Sequence, residues 1–232
     1  MAKVSLPTSA VYRIALALAL FAGMPPAAWS AEPVERAPLP PPVGRVPLPE
    51  AHAAPGKSRS PLDAPLPSTA VERAKLLSNL YAYLATAETT ADAQPIATAI
   101  ERLWLYAGSD TIGVLMDRAA NAITAKSYDK ALHFLDAVVD LAPDYAEGWN
   151  RRAYVHYLDN DLERMVGDLR RCLALEPNHF RALEGLAQIM RETGQKKAAL
   201  KAYQKLIEIH PNAAGAKDAI KELSRDVDGQ KT

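Results

Sequence analysis

The residues able to do chemistry are few and scattered. Five histidines occur, at 52, 133, 156, 179 and 210, with one cysteine at 172. None forms a close His/His or His/Cys pair at ligand spacing, and no HExxH, CxxC or glycine-rich phosphate loop occurs. His179 and His210 stand beside Pro177 and Pro211 and read as loop residues. A lone Cys172 in an apolar run reads as a small buried hydrophobe rather than a reactive thiol. Asp159, Asp161 and Glu163 alternate as in a calcium loop but lack the longer DxDxDG pattern, so they read as a solvated turn. No GxSxG elbow positions a serine. No catalytic, cofactor-binding or metal-binding residue is therefore assigned, and no cofactor is expected. The chain reads as non-enzymatic, with an accessory subunit of an envelope enzyme as an alternative, and its function must lie in a surface.

The 232 residues carry 27 basic and 27 acidic side chains. Such balance argues against nucleic acid as the partner, because binding phosphates needs a basic excess to displace counterions. The first thirty residues read as an export signal. Lys3 and Arg13 precede the apolar run Ile14 to Met24, a proline pair follows, and Ala28-Trp29-Ser30 places small residues where a signal peptidase cuts. Cleavage before Ala31 and a periplasmic location are the expectation. An uncleaved membrane anchor is the alternative, though an eleven-residue run falls short of the about 20 that span a bilayer; after cleavage no membrane span is expected. Residues 31–67 hold eleven of the 18 prolines. Proline fixes φ and donates no hydrogen bond, so this segment reads as an extended, disordered spacer, or alternatively as a proline-motif ligand.

Order begins with Thr69-Ala70-Val71-Glu72, which has capping-box spacing. Leu76, Leu77, Leu80, Tyr81 and Leu84 predict a helix over 70–88, and Ile96, Ile100, Leu103 and Trp104 a second one ending at Gly108. Two short adjacent helices imply an antiparallel hairpin over 68–109.

Pro143, Pro177 and Pro211 stand 34 residues apart, each after an apolar helical run. The implied units are 112–145, 146–179 and 180–213. Within them Leu115, Trp149 and Leu183 share position four, and Ala119, Ala153 and Ala187 share position eight. Leu135, Leu169 and Tyr203 share position twenty-four.

This pattern resembles the tetratricopeptide repeat family, whose unit is a helix-turn-helix with small residues where its two helices cross, at positions eight and twenty. Ala119 pairs with Ala131 and Ala187 with Ala199, whereas Met165 stands opposite Ala153, with Gly167 nearby to relieve crowding or expose backbone. The turns call for left-handed backbone at Lys126, Asn160 and Gly194. The resemblance implies an all-α, right-handed solenoid of three units. Residues 68–109 form a degenerate unit closing one end, although Glu101 and Trp104 do not fit the repeat. A capping helix over 214–226 and a disordered tail over 227–232 follow, with Lys217, Lys221 and Glu222 outward.

The resemblance further implies that positions two, five, nine, twelve and thirteen line a concave groove for a protein or peptide partner. In the first unit these are Gly113, Met116, Ala120, Ile123 and Thr124, an apolar floor. In the second they are Glu147, Asn150, Tyr154, Tyr157 and Leu158, flanked by Arg151, and in the third Arg181, Glu184, Gln188, Arg191 and Glu192. Asn150, Arg151, Tyr154, Tyr157, Arg181, Glu184, Gln188 and Arg191 are the candidate partner-binding residues, while Glu147 and Glu192 read as solvated. Chaperone-binding members of the family clamp a C-terminal carboxylate; here Met116 and Ala120 occupy two of the clamp positions. Neither the partner's identity nor the oligomeric state is readable.

Overall fold

The computed structural model describes residues 69–229. The expected signal at 1–30 and spacer at 31–67 lie outside the described residues. Among the described residues there are nine helices and no strand: α1 (Ala70–Thr86), α2 (Thr90–Leu105), α3 (Asp110–Thr124), α4 (Tyr128–Leu141), α5 (Ala146–Leu158), α6 (Leu162–Leu175), α7 (Phe180–Glu192), α8 (Lys196–Ile209) and α9 (Ala216–Gly229). No helix among them is long and apolar enough to cross a membrane.

Local chemistry sets the boundaries. Thr69 closes the capping box, accepting from the Glu72 amide at 3.2 Å while Glu72 reaches back. Thr89 caps α2 in the same way by accepting from the Asp92 amide. α1 ends at Thr86 and α2 at Leu105, each a turn or less before the expected ends. Lys126, Asn160 and Gly194 hold φ of 56°, 62° and 76°, the left-handed turns that the repeat requires.

α3 to α8 stack as three helical pairs. The small residues at the crossings make that possible: Ala119, Ala131, Ala153, Ala187 and Ala199 are all buried. Met165 is buried opposite Ala153 too. Gly167 stands on an exposed face where an added Cβ would meet nothing, so it relieves no crowding. The glycine that does permit close approach is Gly148, whose added Cβ would come within 2.8 Å of Val138 Cγ1 and 3.2 Å of the Tyr145 ring. α9 covers the far end of the array through Ala216, Ala219 and Leu223. It continues to Gly229 with Val227 buried, past the point where a disordered tail was expected.

The N-terminal hairpin does not close the first end of the array. Its stripe of Leu80, Leu84, Ile100, Leu103 and Trp104 joins one core with Phe180, Leu183, Tyr203, Leu206 and Ile209 of the third unit. The physical reason is the seat on offer. The outer side of α3 presents Arg118 and Asn121, both exposed, whereas the third unit presents large apolar side chains beside its closing turn. In consequence Val114 and Leu141 stay 50% and 64% exposed, although their counterparts Gly148, Ala182 and Ile209 are buried.

Candidate functional site

The hairpin runs along the edge where every unit ends and touches all three turns. At the first, the Tyr145 hydroxyl donates to the Leu105 carbonyl at 3.1 Å. At the second, the Trp104 indole stacks on His179 with centroids 3.8 Å apart and planes 10° from parallel. At the third, Asn212 Nδ2 donates to the Ala87 carbonyl at 2.8 Å. Trp104 Nε1 donates to the Tyr81 hydroxyl, and its ring lies 4.7 Å from that of Phe180. Burial, the neighbouring Glu176 and a hydrogen bond to it push the Tyr81 phenol up, while the Trp104 bond acts against them.

Beneath Trp104 lies a buried polar network. His179 is the N-cap of α7, and its Nδ1 accepts from the Ala182 amide at 3.2 Å. That leaves the ring proton on Nε2, which faces Glu147 Oε2 at 3.1 Å and donates to it. The same carboxylate accepts from Asn150 Nδ2 at 2.9 Å and from Arg151 Nε at 2.6 Å. Burial would raise the Glu147 carboxyl, but the Arg151 guanidinium and the His179 bond outweigh it and hold it at about 2. Glu147 is thus a buried anchor rather than a solvated side chain, and His179 is a fully buried cap rather than a loop residue.

These contacts redistribute the expected groove residues. Asn150 and Arg151 are buried in the network, where both bond to Glu147. Arg181 meets Glu101 of the hairpin at 2.7 Å and Glu184 at 3.3 Å, so it is engaged within the chain. Tyr154 and Tyr157 remain half-buried on α5. Burial raises the Tyr154 phenol, nearby Tyr128 adds to that, and Arg151 acts in the opposite sense. On α7, Gln188 donates to Glu192 at 3.0 Å, and Arg191 keeps 46% of its side chain exposed while reaching Glu222 at 3.5 Å. The structure therefore separates two groups. Asn150, Arg151, Arg181 and Glu184 bond within the array, whereas Tyr154, Tyr157, Gln188 and Tyr128 are half-buried and Arg191 is exposed.

A second ion cluster joins the units from within. Arg152 pairs with Asp168 at 2.8 Å and Asp136 at 2.9 Å, and its guanidinium lies 4.8 Å from the Trp149 ring centre. His156 Nε2 is 3.6 Å from Asp168. Burial lowers the His156 ring and the carboxylates of Asp168 and Asp161 oppose it. Cys172 is buried and burial pushes its thiol up, which keeps it an inert packing group. Among the described residues no cluster of His, Cys, Asp and Glu is placed to hold a metal ion.

Glu101, Trp104, Glu147 and His179 are the residues that sequence reasoning missed. The available signal was the misfit itself: Glu101 and Trp104 break the repeat pattern, and each makes a contact in another unit, Glu101 with Arg181 and Trp104 with His179.

A tetratricopeptide repeat family model matches residues 181–213. The TPR repeat-containing protein of Rhizobium etli is 33% identical over 182 residues, covering 73% of this chain and 89% of that protein. Serine/threonine-protein phosphatase 5 of Rattus norvegicus is 25% identical over 113 residues, which span 49% of this chain and 23% of the phosphatase. Among solved structures, the first TPR of Spaghetti bound to an HSP90 peptide aligns with a TM-score of 0.48 at 18% identity over 51% of this chain and 94% of that one. The Sgt2 TPR domain from Aspergillus fumigatus aligns with a TM-score of 0.48 at 19% identity, over 53% and 83%. Stacked helical pairs of this kind form extended concave surfaces suited to protein-protein interaction. The 34-residue period, the small residues at each crossing, and a relative matched over most of its length agree: the chain belongs to the tetratricopeptide repeat family.

Proposed function

We propose that the protein is an exported, non-enzymatic interaction module of the bacterial periplasm that holds a segment of a partner protein on the accessible face of α5 and α7. The observation that carries this reading is the pair Tyr154 and Tyr157, one helical turn apart and half-buried, with Tyr128 beside Tyr154. Tyrosine supplies rigid contact area at small entropic cost and is enriched among residues that dominate binding energy. Arg191 on the next unit adds positive charge, with Gln188 one turn before it. The buried network keeps these helices at fixed separation, so the face is preorganised, which limits the ordering cost of binding. Export is supported by the apolar run at 14–24 and the small residues of Ala28-Trp29-Ser30.

Two measurements test the reading. A photoreactive residue replacing Tyr157 should crosslink a discrete partner in intact cells, whereas the same residue at Lys201 should not. Crosslinking from position 201 alone would move the binding surface elsewhere. Intact mass of the exported chain should give an N-terminus at Ala31. Recovery of Met1 with the membrane pellet would favour a tethered scaffold instead.

A further inference from the structure

The N-terminal hairpin passes over its neighbour in sequence, α3, and docks on residues far along the chain. Glu101 meets Arg181 eighty positions on, and Ala87 meets Asn212 at a separation of 125. Within the described residues its covalent link to the array is the four-residue connection Tyr106 to Ser109. That connection turns at Gly108, whose φ is +71°. The Ser109 side chain makes no capping bond to α3; besides the glycine, the bend is held by the Tyr145 hydroxyl on the Leu105 carbonyl, while Tyr106 packs under Arg73 of the hairpin itself. In Leu105-Tyr106-Ala107-Gly108-Ser109-Asp110 no proline prevents α2 and α3 from joining into one continuous helix.

We propose that the turn edge is a docking surface for a second copy of this chain through exchange of hairpins. Straightening at Gly108 carries residues 70–105 of one chain onto the turn edge of its partner, and the partner's hairpin is returned in the same way. The occupant is specified by the seat: Arg181 receives a buried carboxylate, His179 a stacked indole, and Phe180, Leu206 and Ile209 an apolar stripe, all of which the hairpin supplies. Exchange keeps every one of these contacts and alters only the connection, which is why swapping is a low-cost route to a dimer. The exchanged dimer would carry two copies of the α5–α7 face, although the inference does not depend on what that face binds.

The hinge and the charge pair each give a test on the full chain. Gly108→Ala disfavours the left-handed bend and favours a continuous helix, so it should tighten the dimer at least about tenfold, given two hinges per dimer. Size-exclusion chromatography with light scattering reads this directly. A folded Gly108→Ala chain that stays monomeric at the highest soluble concentration would overturn the proposal. Glu101→Arg and Arg181→Glu each place like charges at the seat, in cis and in self-exchange. Mixing the two chains restores opposite charge at both seats only by exchange. The mixture should therefore yield a 1:1 heterodimer that neither chain forms alone, while a single chain bearing both changes regains a cis pair and the wild-type monomer-dimer balance. A mixture no more dimeric than its folded components would rule out the hairpin as the exchanged element.

Discussion

Glu101 and Arg181 stand eighty residues apart in sequence and 2.7 Å apart in the fold, and their burial is unequal. Glu101 is 5% exposed, whereas the Arg181 side chain keeps 31% of its surface in contact with solvent and has Glu184 as another partner. The two ends of the bond are therefore not equivalent. Arg181→Ala strands a buried carboxylate and should cost about 3 kcal/mol or more. Glu101→Gln leaves Arg181 with Glu184 and water and should cost about 1 kcal/mol. Urea melts of the two variants check the asymmetry, and equal losses would mean that Glu101 reaches solvent.

Trp104 is the side chain through which the hairpin holds the second unit, stacked on His179 and bonded to Tyr81. Trp104→Ala removes a large buried ring from the shared core and should destabilise by about 3–5 kcal/mol. Hydrogen exchange should then rise first in α1 and α2. Uniform exchange across all helices would show instead that hairpin and array unfold as one unit.

The acid response should have two parts. In the upper one, burial and the nearby Arg181 hold His210 at about 4, below its ordinary 6.5. The unfolded chain therefore binds a proton that the folded chain refuses, and stability falls as pH drops from 6.5 toward 4. His156, also lowered by burial, adds to the same slope. In the lower part, Glu147 titrates near 4.5 when unfolded but at about 2 when folded, so its stabilisation is present above 4.5 and is lost as pH falls toward 2. His210→Leu should flatten the upper slope and Glu147→Gln the lower one, as read from urea midpoints across pH. Glu147→Gln should also lower the midpoint at neutral pH, because Arg151 loses its counter-charge.

How much of this was legible depends on whether a residue's contacts are local in the repeat. Ala119, Ala153 and Ala187 recur at one position because each meets the facing helix of its own unit, and Pro143, Pro177 and Pro211 recur because each unit must stop. Periodicity reports such contacts. Glu147 and His179 were unreadable because one falls at a groove position and the other beside a proline, and only the stacking of two units under a third element buries both. Trp104 and Glu101 were visible solely as exceptions. The placement of the hairpin on the turn edge follows from a comparison of two apolar seats, and a single-sequence period carries no term for that choice.

Tight crossings yield a direct test of the repeat register. Ala153 and Ala187 are fully buried, and Ala153 already faces Met165. Ala153→Leu and Ala187→Leu should each destabilise by more than about 1 kcal/mol through overpacking. Gly148→Ala should do likewise, because its Cβ would fall 2.8 Å from Val138 Cγ1, a β-branched side chain in the core with little freedom to move. Gly167→Ala should instead stabilise α6 by about 1 kcal/mol, since its Cβ meets open space within a helix. Opposite signs at the two glycines, read as urea midpoints, would establish the packing between α4 and α5.

The last prediction separates the two groups of residues that the sequence placed together. If Tyr154 and Tyr157 anchor a partner while Asn150 and Arg151 serve Glu147, changes in the two sets should fail in different ways. Tyr154→Ala with Tyr157→Ala should weaken partner crosslinking, each lost anchor accounting for about 2 kcal/mol or more of binding. Because both side chains are half-buried and pack against the second unit, the urea midpoint must be followed too. Tyr154→Phe keeps that packing while removing the hydroxyl, and should leave the midpoint close to wild type. Asn150→Ala should lower the midpoint first, because it withdraws a donor from a buried carboxylate. Lys201→Ala with Lys205→Ala, on exposed positions of α8, should alter neither crosslinking nor midpoint. If Asn150→Ala abolished crosslinking at an unchanged midpoint, Asn150 would have to turn outward to meet the partner, and the division between organising and contacting residues would be wrong.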